Sequence, residues 1–405
     1  MFDVIIIGAG ASGLVSAILS ARRGKRVLIL EKNNKIGKKL LATGNGKCNI
    51  TNQRPTLERF YSQNPKFIGQ VFQGYSYQTI KQFFKSIGLE LVEAKEGKVF
   101  PLSLQASSVV EILEYTCQEL GVVIRCEVEV KNIKKSGNFY EVSHTHGKES
   151  VKALVVATGH LSAPQLGGGD MGLNFAKKMG HRLIEPFPTL VQLTSSHKNL
   201  KQIAGVKVES RVTLKTKSGK TIQKQGDVLF TSYGISGLAI LDISRFVMQE
   251  LIHTPKVELN IDLMPKFTCE QLFSLMKKSL VKNSSKPLKI WMQGFINKKL
   301  IVPILAPLKL ENHTVGSLSS NTKNLQKIAN KIKSFTITID GSRGYKGAEV
   351  VAGGVDTKEV NPNTMESKKH KNLYFTGEVL DVDGDRGGFN LHFAWVCGLR
   401  AGEAV

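Results

Sequence analysis

The chain has 405 residues, 41% hydrophobic and 22% charged, which is ordinary globular composition with room for two or three domains. Lysine and arginine total 56 against 33 acidic residues, a net charge of +23, so nucleic acid, an anionic membrane or an acidic substrate could be attracted. No run of about 18 uncharged apolar residues predicts a transmembrane helix, no signal-peptide pattern is visible, and five scattered cysteines without a CxxC pair argue against a disulfide framework or structural zinc. A reducing cytoplasm is the expected location.

The chain opens MFDVIIIGAGASGL. Asp3 to Ile7 reads as a short, β-branched, fully buried strand. Gly8, Gly10 and Gly13 follow as G-x-G-x-x-G, and Leu14, Ala17, Ile18 and Ala21 recur at helical spacing until Gly24. Val27 to Leu30 is a second buried strand, and Glu31 ends it. In such a unit the first glycine makes the turn, the second lets backbone approach a pyrophosphate, and the third packs helix on sheet. The helix N-terminus faces the phosphates, and Glu31 can accept hydrogen bonds from a ribose. The unit predicts dinucleotide binding. A second formal match at Gly167, Gly169 and Gly172 follows a proline-containing loop and not a strand, so it reads as a glycine loop before a helix over Leu173–Met179.

Between these stretches, Ile36 to Asn52 carries a glycine-rich loop, Thr43-Gly-Asn-Gly46, flanked by Lys38, Lys39 and Lys47. Val122 to Val130 and Tyr140–Val142 suggest strand, turn, strand, and Lys152 to Gly159 is another buried strand ending in Thr158-Gly159. From Leu190 to Asp262 the pattern is β-like, with a turn at Lys217–Lys220. From Pro265 it becomes helical, with Thr268 as a cap. Met264 to Phe335 holds thirteen lysines, no arginine and two glutamates, a net of +11. It lacks arginine and interleaved aromatics, so a solvated lysine face is the plain reading and nucleic acid the alternative. Phe335–Ile339 reads as a strand. Finally Leu373 to Glu378, a strand ending in Gly-Glu, precedes Asp381-Val-Asp-Gly-Asp-Arg-Gly-Gly-Phe-Asn-Leu391 and an apolar helix. Gly387-Gly388 opening that helix is a second helix-N-terminus site, and Glu378 could hold a ribityl hydroxyl. A cofactor held by both ends of the chain must be long, and FAD fits that span.

The chain resembles the HI0933-like flavoprotein family, which includes BaiN and aminoacetone-oxidase-like oxidoreductases. The resemblance is carried by Ile36–Asn52, Leu229–Gly237, Ala352–Val355 and the Gly377–Leu391 segment. It implies a discontinuous Rossmann-like α/β FAD-binding domain (1–188 and 336–405), an inserted β-barrel-like domain (189–263 and 316–335) and a small helical lysine-rich domain (264–315). The residues expected against FAD are Gly8, Gly10, Ala11, Ser12, Gly13, Glu31, Lys32, Lys39, Thr43, Gly44, Asn45, Gly46, Val130, Ala157, Thr158, Gly159, Gly377, Glu378, Gly387, Gly388, Phe389, Asn390 and Leu391. Asn45 stands where the family has glycine, and asparagine tolerates left-handed backbone.

Flavin chemistry needs no protein nucleophile, and no catalytic side chain stands out. His392, Tyr233, His160 and Cys48 are the candidates; Cys48 has no resolving cysteine nearby in sequence. The expected activity is hydride transfer between flavin and a small or medium organic substrate in a cleft between the FAD and inserted domains, with NAD(P)H as a transient electron donor. An oxygen-using amine oxidase and an RNA-associated, tRNA-modifying flavoprotein are the alternatives. No metal is expected, and oligomeric state is left open.

Overall fold

The opening strand, Val4–Ile7, is buried along its whole length and lies at the centre of a five-stranded parallel sheet. Its neighbours are Val27–Leu30 on one side and Ala153–Val156 on the other, in register with Ile7 opposite Leu30 and Val156. Leu373–Phe375 and Val123–Arg125 form the edges. The four side chains of the opening strand are 0–4% exposed; each such burial stabilises by about 1.5–3 kcal/mol. Successive strands are added on opposite sides of this central strand, which makes its carboxyl end a switch point where ligands bind in open α/β sheets.

The computed structural model describes residues 1–197, 200–281, 284–319 and 322–405. They divide into one unit from Met1–Pro188 with Ala348–Val405 and another from Thr189–Gly347. In the first unit the glycine helix, Ala11–Arg22, packs on the last helix, Phe389–Ala404. Gly398 and Gly402 allow it: a Cβ at Gly398 would sit 2.7 Å from Ser12 O, and one at Gly402 would sit 2.5 Å from Leu19 Cβ. Ser16 Oγ donates to Gly398 O at 3.2 Å.

The second unit holds a seven-stranded sheet. The hairpin Lys207–Lys215 with Thr221–Phe230 turns around Lys217–Gly219, as the sequence predicts. The edge strands are Phe335–Ile339 and Gly341–Ser342, separated only by Asp340. The sheet therefore curls back on itself, and Ser195 Oγ donates to Thr338 O across the closure.

Three expectations need correction. The strand Phe335–Ile339 pairs with Val257–Asp262 inside this second sheet, so the chain returns to the first unit at Ala348 and not at 336. The helical stretch 264–315 is not a unit of its own: Leu272, Met276, Leu288, Leu300 and Ile304 share one core with the sheet residues Val212, Leu259 and Ile337. Residues 316–335, expected to be β-rich, are largely the helices Val315–Ser319 and Thr322–Lys333. A further helix, Leu238–Leu251, was masked by the β-like reading of its surroundings and buries Ala239, Ile240, Ile243 and Val247. Lys282, within the lysine-rich stretch, lies outside the described residues.

Candidate cofactor site

The three opening glycines meet three different constraints. Gly8 has φ +103°, and a Cβ there would come within 2.5 Å of Ala157 O. A Cβ at Gly13 would come within 2.0 Å of Gly8 O. Gly10 is the exception: a Cβ there would meet nothing within 4 Å, and as N-cap of the glycine helix it offers no side chain to the N–H groups of the first turn. Packing explains the first two glycines. It leaves open space beside Gly10, at the uncapped first turn of the helix, which suits a pyrophosphate.

Glu31, 7% exposed, follows the second strand. Its Oε2 accepts the Ala9 N–H at 2.8 Å, and its Oε1 accepts from Asn33 N at 2.8 Å and Asn33 Nδ2 at 2.7 Å. The carboxylate thus braces the glycine turn with three accepted hydrogen bonds and keeps one acceptor site, on Oε2, free of those bonds. Val128 N donates to Glu31 O at 2.9 Å, placing the segment that leads to Val130 alongside. Asn33 also lies against the Gly167–Gly169 loop, because a Cβ at Gly167 would touch Asn33 Nδ2 at 2.4 Å. Lys32 Nζ reaches Gly168 O at 3.5 Å. That loop reads correctly as a loop before a helix, here Met171–Lys178. Its place beside Glu31 was not legible, since glycines with no strand before them carry no such signal.

Lys39 Nζ binds Glu378 Oε2 at 2.6 Å and Ser162 Oγ at 2.5 Å. These residues come from three separate parts of the chain. The sequence singled out Lys39 and Glu378 individually, but not their pairing and not Ser162. Thr158 and Gly159, half-buried beyond the Ala153–Val156 strand, lie close by: a Cβ at Gly159 would be 3.9 Å from Glu378 Oε2. In the Thr43–Gly46 turn, Gly44, Asn45 and Gly46 all have positive φ. Asn45 adopts the left-handed conformation at φ 54°, as its amide side chain permits. The turn is largely exposed.

At the other end of the chain, Gly377 lies against Ser12: a Cβ would meet Ser12 Oγ at 2.8 Å, and Thr376 Oγ1 bonds the same hydroxyl at 3.2 Å. Gly388 caps the last helix with no side-chain hydrogen bond. Leu391 is half-buried in its first turn. Two expected contacts are otherwise engaged. The Asn390 amide accepts from Gly384 N at 2.7 Å and donates to Gly384 O at 2.8 Å, closing its own loop. Phe389 is 2% exposed, packed edge-on to Phe60 with the Arg59 guanidinium 4.5 Å from its ring. Asp385 holds Arg59 at 2.7 Å and Tyr61 at 3.0 Å, and Asp381 accepts from Gln63 N at 2.8 Å, fastening residues 59–63 to this loop.

The catalytic candidates separate clearly. His392 is fully buried, bonded to Thr51 Oγ1 at 2.8 Å and edge-on to Phe72, with Nε2 buried and without a partner among the described residues; burial pushes its pKa down to about 3, so the ring is neutral. Cys48 is also fully buried, and desolvation raises its thiol to about 11, so it stays protonated and shielded. His160, 1% exposed, accepts the Leu161 N–H on Nδ1 at 2.8 Å; burial lowers its pKa to about 4, although Glu378 opposes the shift and Lys39 adds to it. Tyr233 belongs to the second unit, where the Arg343 guanidinium lies 4.9 Å from its ring. Among the described residues no cluster of three or more His, Cys, Asp or Glu could hold a metal, and no helix is long and apolar enough to cross a membrane.

A parallel sheet with a glycine turn, an acidic residue after the second strand and a second uncapped helix at the same unit's C-terminal segment defines a Rossmann-type FAD-binding oxidoreductase. Residues 2–404 match the family described as HI0933-like protein Rossmann domain, and the chain belongs to that family. It is 33% identical over 402 residues to the 3-dehydro-bile acid delta(4,6)-reductase of Clostridium scindens, covering 99% of this chain and 98% of that protein. It is 34% identical over 398 residues to the ribosomal RNA dihydrouridine synthase of Haemophilus influenzae, covering 96% and 95%. The enzyme of that name from Escherichia coli is 30% identical over 398 residues, covering 97% and 95%.

Proposed function

We propose that this flavoenzyme reduces a carbon–carbon double bond conjugated to a carbonyl. One observation carries the reading: relatives of nearly full length with unlike substrates have that bond in common. A delta(4,6) pair in a 3-keto steroid skeleton is conjugated to the ketone. The 5,6 bond of uracil, saturated in dihydrouridine, is conjugated to the C4 carbonyl. At the 5,6 bond of uracil and the 4,5 bond of the steroid, reduction adds a hydride to the β-carbon and a proton to the α-carbon; at the 6,7 bond the hydride goes to the δ-carbon and the proton to the γ-carbon, with a nicotinamide as the source of both electrons in each case.

Bound FAD supplies the two-electron hydride chemistry. The protein's share is binding and orientation. Gly10 offers open space, and the first turn of its helix offers backbone N–H groups, to the pyrophosphate. Glu31 offers the remaining acceptor site on Oε2 to the ribose. Lys39 and Glu378 present a paired cation and carboxylate, half-exposed at 33% and 18%, to the polar edge of the cofactor. The uncapped helix at Gly388 offers a second partial positive charge.

A second observation bears on the molecule that carries the bond. The Thr189–Gly347 unit holds 159 residues and a net charge of +16, out of +23 for the chain. That asymmetry favours a uracil within RNA over a free steroid. The test is to reduce the flavin anaerobically and mix it either with a 3-keto steroid enone or with unmodified RNA. Return of the oxidised flavin spectrum with either substrate, and with a saturated ketone not at all, supports the reading. Reoxidation by neither overturns it.

A further inference from the structure

We propose that the helices Cys269–Lys278 and Thr322–Lys333 form a cationic ridge that docks the phosphate backbone of RNA without reading its sequence. The inference deepens the RNA-borne reading above by naming the surface that would hold such a substrate.

The two helices run antiparallel. Cys269 Sγ, at the start of one, meets Asn330 Oδ1 near the end of the other at 2.9 Å. Ser319 Oγ, just before the second helix, meets Val281 O, just after the first, at 3.5 Å. The C-terminal end of the first helix, with Lys277 and Lys278, therefore lies beside the N-terminal end of the second, with Lys323. Lys323, Lys327 and Lys331 follow at four-residue intervals, so they share one face over about 12 Å.

That face is turned away from the core. Leu325, Ile328, Ala329 and Ile332 bury the opposite side of the second helix completely, and Leu272 and Met276 do the same for the first. Lys277, Lys278, Lys323 and Lys327 are exposed and Lys331 is half-buried. None of the five has an acidic partner among the described residues. Lys333 shows the contrast. It is 16% exposed, paired with Asp262 at 2.7 Å and bonded to Met264 O at 2.9 Å, so it is a structural lysine spent on a turn.

Charge complementarity selects a polyanion, and the shape of the patch selects among polyanions. A helix lying on a membrane sinks an exposed apolar face beneath its cationic one. Here Leu272, Met276, Leu325, Ile328 and Ile332 are used by the core, and the exposed Leu275 and Val281 are too few to make an apolar face beneath the lysines. No exposed aromatic residue stands among the five lysines to stack on bases. Point charges without stacking platforms follow the backbone and position the nucleic acid, and carry no sequence information.

The test uses the full-length flavin-loaded protein, a labelled RNA hairpin, a second hairpin of scrambled sequence, and phosphatidylserine vesicles, titrated across salt. Both hairpins are expected to bind equally. Changing Lys277, Lys278, Lys323, Lys327 and Lys331 together to glutamine is expected to lower the slope of log K against log salt by about 3 to 4 and to weaken low-salt binding about 100-fold. The same five positions changed to arginine should retain binding. Steroid-enone reduction by the glutamine variant should stay at the wild-type level, because these lysines are outside the cofactor site. If neither the steroid enone nor RNA is reduced by any variant or by the wild type while the slopes differ as stated, the bond assignment falls and the ridge stands. An unchanged slope in the glutamine variant, or loss of vesicle binding with no RNA binding in the wild type, overturns the ridge.

Discussion

Gly10→Ala is expected to spare the fold and to weaken FAD retention, whereas Gly13→Ala is expected to damage the fold itself. At Gly10 the backbone has φ −90° and ψ −167°, which alanine adopts freely, and the new Cβ meets no atom within 4 Å. Alanine lowers the entropy of the unfolded chain, a gain of about 0.4–1 kcal/mol. It is a poorer N-cap than glycine by up to about 1 kcal/mol. The two offset, so the ligand-free melting temperature should move by no more than about 2–4 °C. At Gly13 the Cβ would lie 2.0 Å from Gly8 O, and a backbone oxygen in a packed turn can yield only by shifting the strand end. Such overpacking costs about 1–3 kcal/mol or more. A methyl at Gly10 occupies the space assigned to the pyrophosphate, so FAD should bind at least about tenfold more weakly, or about 1.4 kcal/mol. Thermal unfolding of the ligand-free proteins and a fluorescence titration with FAD measure both quantities. A Gly10→Ala protein that holds FAD as tightly as wild type, or that melts as early as Gly13→Ala without FAD, refutes the reasoning.

Other outcomes follow from the same geometry. Glu31→Ala should lower the melting temperature even without FAD, because it strands the Ala9 and Asn33 N–H groups at a cost of about 1–3 kcal/mol each; an effect confined to the FAD-loaded protein would show that the brace contributes nothing. Lys39→Met and Glu378→Leu should each weaken FAD binding, and the double variant should show a coupling of about 1 kcal/mol in a double-mutant cycle, where strict additivity would deny the pairing. His160 and His392, with pKa values lowered to about 4 and about 3, stay neutral in the fold while the unfolded chain takes up protons below about pH 6.5. Stability should therefore fall as pH drops from about 6.5 towards 4, and His392→Leu should flatten that decline in melting temperature; a wild-type curve that is flat or rising on acidification contradicts this. Cys48→Ala should leave turnover within about twofold, and the native thiol should resist alkylation at pH 8, since its pKa is about 11; rapid inactivation traced to Cys48 would restore it as a redox candidate.

The parts of the site that were legible in sequence are those whose constraint is local. Gly8, Gly10 and Gly13 serve one turn, and their spacing states the geometry directly. Asn45 in left-handed backbone, the Thr268 cap and the Lys217 turn are likewise decided within a few residues. Pairings across the chain were not legible. Lys39 and Glu378 each looked like cofactor residues, but nothing in either neighbourhood says that they bind each other across 339 positions. The Asn390 amide and the Phe389 ring stand in a glycine-rich motif and yet face inward, one closing its loop and the other packing on Phe60. The burial of His392 was likewise not legible: a histidine at a helix start suggests an open position, whereas this ring packs against Phe72 and bonds Thr51 through Nδ1, with Nε2 buried and without a partner among the described residues. The strand Phe335–Ile339 was found, but its allegiance was not, because a strand's pattern does not name its sheet.

The central claim is that the bound flavin delivers a hydride to a conjugated carbon–carbon double bond. Stopped-flow mixing of the anaerobically reduced protein with a 3-keto steroid enone or with uracil-containing RNA tests it most directly. The account predicts that the oxidised flavin spectrum returns without oxygen, at a rate that rises with substrate concentration, and that the product gains two hydrogens across the double bond. A flavin that stays reduced under both substrates and recovers only when air is admitted would contradict it and point to an oxidase.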